Sequence, residues 1–440
     1  MSGFRAWQCG SEMLQHRRWE AFLATLVEPC DSSALAKWRN SRLRMLLAHA
    51  RREVPIFRQL SSQDASGLED LQRYPVLSRR DYQEAGEAGV LAENEPVEML
   101  LDRSTSGSTG ERLMIRRTWL EERLLNCFRW RAFRSYGIGP CDRIANALFR
   151  IDADPRDDQR LASLAMALGW RQTLLIDALE DDAAAEKAAR FAPHCLTGMT
   201  SGLASLAEKI SAQGLAFSPR LVVTTGELLT APLRASIATL GSPILDVYGS
   251  NEFNLLAWEC PAGAGTYHIC DDAVVLEVLG PQGGQVEIGQ TGEVVVTGLH
   301  SFAMPFIRYK IGDLAVRGPD RCPCGSHFST LLAIHGRTID IFNLAGGISL
   351  HPWTIHNAVR PWLGMVRQSS LVQVAPNRLE YLVVANDALG QFEEQLLCAA
   401  AQAALPEGIA FALRRVETIP AGPGGKARPF VTLAQDFNPQ

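Results

Sequence analysis

A short loop rich in hydroxyl groups and glycine is the segment best suited to chemistry. Residues 104–110 read Ser-Thr-Ser-Gly-Ser-Thr-Gly. Glycine lets a backbone approach a ligand closely, and backbone N–H groups and hydroxyls donate hydrogen bonds to phosphate oxygens. No Gly-Lys-Ser/Thr follows, so the loop is not a Walker A motif, and a flexible turn has a similar composition. The loop indicates a polyphosphate site whose candidate residues are Ser104, Ser106, Gly107, Ser108, Thr109 and Gly110.

Two further polar segments follow predicted strands. Gly226 and Glu227 come after the apolar run 221–225, and Tyr248, Gly249 and Glu252 lie at and beyond the end of the run 244–248. Open α/β sheets bind ligands at the carboxyl ends of their strands. There, Tyr248 could stack on a base and the Glu252 carboxylate could bind Mg²⁺. Each segment taken alone also fits an ordinary strand-to-helix turn.

Three charged residues stand in later motifs. Asp313 closes the apolar segment 304–313 and could accept two hydrogen bonds from a ribose diol, although a surface cap is the commoner role. Arg337 lies just before a change of composition, where a hinge is expected. Lys426 lies in the glycine-rich segment 422–428, and a solvated lysine is the simpler interpretation.

Four thiol and imidazole side chains predict a structural zinc site. Cys322 and Cys324 form a compact pair, and Cys260 and His268 flank a loop rich in Pro and Gly. Three Cys and one His make a good tetrahedral set for Zn²⁺, and four protein ligands leave no open position for catalysis. Cys270 and His327 are rival ligands, and inert reduced thiols are the alternative.

Length and composition indicate a cytoplasmic protein of two or three domains. The chain has 440 residues, 47% of them hydrophobic, and a formal net charge of −5, which disfavours nucleic-acid binding. We expect no membrane span, because no apolar run reaches about 18 residues. The first 19 residues do not resemble a signal peptide, and ten cysteines are too sparse for a disulfide scaffold.

The hydrophobic pattern predicts an α/β protein. Apolar spacing predicts helices over 34–59 and 118–136. Between residues 140 and 250, short apolar runs alternate with Ala-rich helices, which indicates a parallel sheet covered by helices. The predicted strands are 144–149, 173–176, 221–225 and 244–248, and the predicted helices are 181–191, 203–212 and 231–240. A β-ribbon over 274–296 and a smaller α+β unit follow, with a hairpin (371–374 and 379–384), a helix (391–403) and a terminal loop.

In this order and at these intervals, the motifs resemble the adenylate-forming superfamily of acyl-CoA synthetases and adenylation domains, and most closely its phenylacetate–CoA ligase branch. The segments 49–57 and 74–81 are similar to that branch as well. The resemblance covers nearly the whole chain. It implies a large N-terminal domain with helix-covered sheets (1–338) and a small α+β C-terminal domain (341–440), joined by a hinge near Asp340.

The resemblance implies a reaction in two steps. A carboxylate attacks the α-phosphate of ATP to give an acyl-adenylate, and a thiol then displaces AMP. The loop 104–110 would bind the β- and γ-phosphates, and Glu252 would hold Mg²⁺. Adenine would lie against Tyr248, Gly249 and the Gly226-Glu227 turn, and ribose against Asp313 and Arg337. Lys426 would bridge the attacking carboxylate and the α-phosphate before the C-terminal domain rotates to present the face around residues 345–347.

The acceptor and the acid are left open by the sequence. The thiol would be coenzyme A or the phosphopantetheine of a carrier protein, and an amine acceptor is a further alternative. A scaffold with a decayed site is a third possibility, which the five polar site residues disfavour. By resemblance, a small aromatic or medium-sized apolar acid would contact Tyr136, Phe149, Met199, Phe253 and Trp258, although these side chains also fit an ordinary core. The resemblance also implies a homodimer. Glu111 and Arg112 replace the lysine common beside the loop glycines.

Overall fold

The computed structural model describes residues 31–60, 68–104, 113–139, 142–148, 173–177, 183–263, 265–337, 342–350, 352, 355, 358–385, 389–419 and 430–432. Within these ranges, the helices and strands form one large mixed sheet, two small two-stranded sheets and a four-stranded C-terminal sheet. No helix in this part of the chain is long and apolar enough to cross a membrane.

The large sheet has eleven strands among the described residues, in the order β10-β11-β12-β13-β9-β8-β7-β6-β5-β3-β4. Strands β3, β4, β5, β6 and β7 pair with one another in parallel. All the other neighbouring pairs in this order, from β7–β8 to β11–β10, are antiparallel. The parallel strands are β3 Ile144–Leu148, β4 Thr173–Asp177, β5 Cys195–Met199, β6 Leu221–Thr225 and β7 Ile244–Tyr248. The antiparallel strands are β8 Ala257–Glu259, β9 Tyr267–Ile269, β10 Val274–Leu279, β11 Thr291–Gly298, β12 Tyr309–Arg317 and β13 Thr330–Arg337.

Some of the helices pack against strands of this sheet, and others pack against one another. They are α1 Ser32–Glu53, α2 Pro55–Leu60, α3 Leu68–Leu71, α4 Arg79–Val90, α5 Trp119–Ser135, α6 Ala183–Phe191, α7 Thr200–Ala212 and α8 Ala231–Ala238. In α1, Leu43, Leu46 and Leu47 are buried because their spacing puts them on one face of the helix. The Asp31 carboxylate accepts hydrogen bonds from two free N–H groups at the start of α1, which fixes where this helix begins.

A β-hairpin holds the predicted phosphate loop. β1 Leu101–Ser104 pairs antiparallel with β2 Met114–Arg117, so Ser104 lies opposite Met114 and the loop residues connect the two strands. Thr118 and Glu121 then form a capping box that starts α5 directly after the hairpin. Strand β1 therefore leads into the loop, and β2 and α5 follow it.

The C-terminal unit has its own apolar core. Its sheet runs in the order β18-β17-β16-β19, with β17 and β18 parallel and β16 and β17 antiparallel. The elements are β14 Phe342–Asn343, β15 Ser349–Leu350, β16 Val366–Ala375, β17 Arg378–Ala385, α9 Gln391–Ala403, β18 Ala410–Arg415 and β19 Phe430–Val431. The described core residues from Phe342 onward form one large and one small cluster, apart from the clusters of the large sheet. The division at 338 and 341 stays a prediction, and residues 338–341 lie outside the described ranges.

The predicted α/β class is confirmed, with a few differences in the elements. Strand β5 was not predicted, because its sequence Cys-Leu-Thr-Gly-Met has little β-propensity and pairs as a buried inner strand. The terminal residues predicted as a loop contain the short strand β19, which pairs in parallel with β16. Both strands owe their existence to pairing partners distant in the sequence.

Candidate functional site

Neighbouring parallel strands bring two predicted adenine segments together. β6 and β7 pair side by side, with Thr225 opposite Val247, so Gly226 and Tyr248 leave the sheet at the same edge. Gly226 has a φ of +78°, which a residue with a side chain rarely adopts. At Gly249, an added Cβ would lie 2.0 Å from the carbonyl oxygen of Asn254, so only glycine fits this turn.

Two residues assigned to the nucleoside from the sequence contact each other directly. The Tyr248 hydroxyl donates a hydrogen bond of 2.7 Å to Oδ2 of Asp313, across 65 residues of sequence. Asp313 in β12 lies opposite Arg337 in β13, the other predicted ribose residue. The described backbone of Arg337 therefore lies next to Asp313, while the Arg337 side chain lies outside the described part of the structure.

The predicted magnesium ligand is a buried carboxylate with two polar partners. Glu252 is 4% exposed, its Oε1 accepts a 3.2 Å hydrogen bond from the Tyr309 hydroxyl, and a guanidinium nitrogen of Arg79 lies 3.8 Å away. Burial raises the pKa of Tyr309, and the Glu252 charge acts in the same direction, so Tyr309 stays a hydrogen-bond donor. Arg79 was not assigned from the sequence, although it lies in the 74–81 segment that carried part of the resemblance.

Several predicted site residues lie outside the described ranges. These are Ser106, Gly107, Ser108, Thr109, Gly110 and Lys426. Ser104 is described only as the last residue of β1. Glu227 is half-buried beyond β6, and its carbonyl accepts a 3.2 Å hydrogen bond from Thr200. The phosphate and Lys426 assignments therefore stay predictions.

The four predicted zinc ligands come together. One ligand atom from each of Cys260, His268, Cys322 and Cys324 lies within 4.8 Å of the others. The Cys260 and Cys322 sulfurs are 3.7 Å apart, and the Cys324 sulfur is 3.4 Å from Nε2 of His268. Burial raises the pKa of the Cys322 thiol, a tendency that a bound cation opposes because it binds the thiolate. The donor set and its mutual distances fit a tetrahedral Zn²⁺ site.

The rival ligands face other partners. The Cys270 sulfur lies 3.6 Å from a carboxylate oxygen of Asp272, and burial raises its pKa. His327 Nδ1 lies 3.3 Å from the Ser32 hydroxyl. The geometry therefore selects Cys260 and His268 as the partners of the Cys322–Cys324 pair.

A buried polar network joins the β8–β9 pair beside this cluster to β6 and β7. Asp246 accepts hydrogen bonds from the Thr224 hydroxyl at 2.7 Å and the Tyr267 hydroxyl at 2.8 Å. Its backbone N–H donates to Glu259 at 3.1 Å, and Arg234 contacts both Glu259 oxygens at 2.8 and 2.9 Å. Burial raises the pKa of Asp246 to about 6, against the opposing effect of the two hydroxyl donors. The sequence did not predict this network, since its members become neighbours only in the sheet.

Two of the predicted acyl-contacting residues belong to the aromatic core. The Phe253 ring lies 5.6 Å from Phe306, and the Trp258 ring lies 5.3 Å from Phe328, centroid to centroid. Met199 is half-buried beside Gly226. The Tyr136 hydroxyl donates to the backbone carbonyl of Glu259, and Phe149 lies outside the described ranges. Core packing therefore explains Phe253 and Trp258 without a substrate.

Known proteins resemble the chain in sequence. A phenylacetate-coenzyme A ligase of Pseudomonas putida is 28% identical over 66% of this chain and 69% of its own length. One from Thermus thermophilus is 25% identical over 74% of this chain and 75% of its own length. A scan against descriptions of protein families matched none of them.

Solved structures resemble the chain in fold. A 2-hydroxyisobutyryl-CoA ligase in a postadenylation state aligns over 92% of this chain and 90% of its own, with a TM-score of 0.76 and 21% identity. An anthranilate CoA ligase bound to anthranoyl-AMP aligns over 76% of this chain and 66% of its own, with a TM-score of 0.57 and 15% identity. The predicted fold is confirmed by these structures.

Proposed function

Because the chain resembles the phenylacetate–CoA ligase-like branch of the adenylate-forming superfamily in sequence and fold, we propose that it is an ATP-dependent, AMP-forming acid–CoA ligase. The relatives are named as ligases of carboxylic acids and coenzyme A, and solved neighbours were obtained with acyl-adenylates. The observation that carries the proposal is the Tyr248–Asp313 hydrogen bond beside Glu252. It joins residues from separate motifs at one sheet edge.

In the first step, the chain would hold MgATP against this edge. Tyr248 and the Gly226 turn border the adenine position, and Asp313, opposite Arg337, can accept hydrogen bonds from the ribose hydroxyls. Mg²⁺ on Glu252 would offset the charge that builds on pyrophosphate as the P–O bond breaks. Tyr309 orients that carboxylate by its hydrogen bond. The hydroxyl-rich loop 104–110 would bind the leaving phosphates.

Lys426 would supply the cation at the reacting centre. We propose that the C-terminal unit brings Lys426 to the α-phosphate for adenylation and then rotates about a hinge near 338–341 for thioester formation. Conformational steps of this kind let one site carry out two reactions in turn. Lys426→Ala should lower adenylate formation about 10²–10³-fold. Thioester formation from supplied adenylate should persist, and equal loss in both half-reactions would contradict the assignment.

We propose a structural Zn²⁺ at Cys260, His268, Cys322 and Cys324. It would fasten the β8–β9 turn to the 320–325 loop. Its ligand atoms are all from the protein, so it would supply no reacting water. None of the described cysteines is in a disulfide, and we propose a cytoplasmic location.

The acceptor and acid can be determined by one assay. Pyrophosphate release would be measured with ATP and Mg²⁺ over a panel of aromatic and short aliphatic carboxylates, with and without coenzyme A. AMP and an acyl-CoA that appear together only with coenzyme A would identify the ligase and its acid. Adenylate without thioester would favour the alternative, a stand-alone adenylation enzyme for a carrier protein or an amine. Absence of acid-dependent pyrophosphate across the panel would contradict the proposal. A homodimer is proposed by resemblance alone.

A further inference from the structure

A buried arginine lies between the phosphate-loop hairpin and the predicted magnesium ligand. Arg117 is the last residue of β2, the strand that leaves the loop, and its side chain is 4% exposed. One guanidinium nitrogen, Nη2, donates to the backbone carbonyl of Glu252 at 2.6 Å and also to the carbonyl of Asn251. A guanidinium that donates to consecutive carbonyls fixes their peptide planes, and with them the direction of the intervening side chain.

The second guanidinium nitrogen of Arg117 binds a carboxylate that also contacts the other strand of the hairpin. Nη1 of Arg117 donates to Oε2 of Glu122 at 3.1 Å, and Arg103 of β1 contacts Oε1 of the same carboxylate at 3.1 and 3.2 Å. Glu122 lies in the first turn of α5. Charge-assisted hydrogen bonds of this kind are geometrically specific, and the burial of Arg117 protects them from water.

We infer that Arg117 is a positioning residue that fixes the backbone of residues 251–252, and with it the Glu252 carboxylate, relative to the β1–β2 hairpin. This inference rests on the proposed function, in which Glu252 would hold the Mg²⁺ of MgATP. A shift of the 251–252 backbone relative to the hairpin would pull the metal ligand away from the phosphate oxygens. MgATP would then bind more weakly, while contacts to the acid would be unchanged.

The same strand offers a matched control. Arg116 precedes Arg117, so its side chain points to the opposite face of the hairpin, where it pairs with Asp102 and Glu87. Arg116→Met therefore removes an arginine from β2 without touching the 251–252 carbonyls. Arg117→Lys keeps the charge but loses the planar fork, and Glu122→Gln weakens the hold on Arg117 from the other side.

The test compares Arg117→Met, Arg117→Lys, Glu122→Gln and Arg116→Met by steady-state kinetics and by calorimetric titration with MgATP. We expect Arg117→Met to raise the KM for MgATP and the half-saturating Mg²⁺ concentration about tenfold or more, with the KM for the acid unchanged, because the guanidinium makes charge-assisted contacts. Arg117→Lys and Glu122→Gln should fall between this variant and wild type, and Arg116→Met should match wild type. If Arg117→Met does not fold, the Lys and Gln variants carry the test.

The outcomes separate the two claims. A wild-type enzyme that forms adenylate, with the same MgATP and Mg²⁺ dependence in the Arg117 and Arg116 variants, would overturn the role of Arg117 and leave the ligase intact. Loss of folded protein with unchanged kinetic constants in the remainder would overturn it too. If wild type makes no pyrophosphate, calorimetry decides: weaker MgATP binding by the Arg117 variants supports the inference, and no MgATP binding by wild type refutes it.

Discussion

The two polar clusters on strands β8 and β9 are built in opposite ways. Glu259 and Tyr267 lie opposite each other on the paired strands and belong to a network in which every carboxylate has a donor or a cation. The next residues along the chain, Cys260 and His268, belong to the thiol–imidazole cluster. In that cluster, three thiol sulfurs and one imidazole nitrogen lie within 4.8 Å of one another. The network therefore pairs its charges within the chain, whereas the thiol–imidazole cluster has the donor set of a metal site.

Alternation along a strand can place two kinds of chemistry one residue apart. Successive side chains on a strand point to opposite faces of the sheet, so neighbouring residues in the sequence lie in different environments. The network connects to β6 and β7 through Thr224 and Asp246, and so reaches the strands that end next to Gly226 and at Tyr248. The thiol–imidazole cluster includes Cys260, the first residue after β8, and His268 in the middle of β9.

The largest expected effect is on the metal cluster. Cys322→Ser removes one of four ligands, so purified protein should fall from about one zinc per chain to nearly none. Because a structural ion contributes to folding, the thermal midpoint should drop by several degrees. Metal analysis and thermal unfolding measure both, with Cys398→Ser in the C-terminal helix as the control. Untagged wild-type protein that contains no zinc would refute the site.

Arg234→Met should have the next largest effect, on the network. It removes the cation from Glu259, a carboxylate only 3% exposed, and leaves a buried charge unpaired. Loss of such a partner costs about 3–5 kcal/mol when fully buried, and about 1–3 kcal/mol is expected here because Arg234 is partly exposed. Denaturant unfolding measures the loss. Zinc content should stay at the wild-type level, and a simultaneous loss of zinc would show that the two clusters are not independent.

The next prediction concerns how the free energy of unfolding depends on pH through Asp246 of the network. Because the pKa of Asp246 is raised to about 6 in the folded protein from an ordinary 3.8, its protonated form contributes stability below about pH 4. That contribution is lost as pH rises through about 6. Asp246→Asn does not titrate, so its free energy of unfolding relative to wild type should increase by about 1–3 kcal/mol between pH 5 and 7. A difference that is flat with pH would contradict the raised pKa.

Tyr267→Phe should have the smallest effect. It deletes one hydroxyl donor to Asp246 and keeps the ring, so a loss of about 1 kcal/mol is expected. Tyr381→Phe is the matched control, because Tyr381 is a buried tyrosine of the C-terminal sheet. Urea unfolding compares the two. If Tyr267→Phe also lowers zinc content, the adjacent His268 depends on this hydrogen bond, and the clusters are coupled.

Much of the candidate site could be predicted because its residues occur in local motifs. The Gly226 turn, Tyr248, Gly249 and Glu252 follow apolar strands directly, and the structure places Tyr248 and Asp313 in contact. The close spacing of Cys322 and Cys324 predicted a pair of metal ligands. Arg79 and Arg117 were missed, since a single arginine in a polar segment has no pattern that separates it from a solvated one.

The alternation of strands and helices, the glycine turns after β6 and β7, and the choice of thiol and imidazole side chains as candidate metal ligands could be inferred from the sequence alone. These depend on hydrophobic period and on residue chemistry, both of which are local. Only the tertiary structure decided which thiols meet His268, that β5 and β19 are strands, and that Arg117 spans from Glu122 to the 251–252 carbonyls. Such contacts join residues far apart in sequence, and their stability comes from burial and pairing that exist only after the chain has folded.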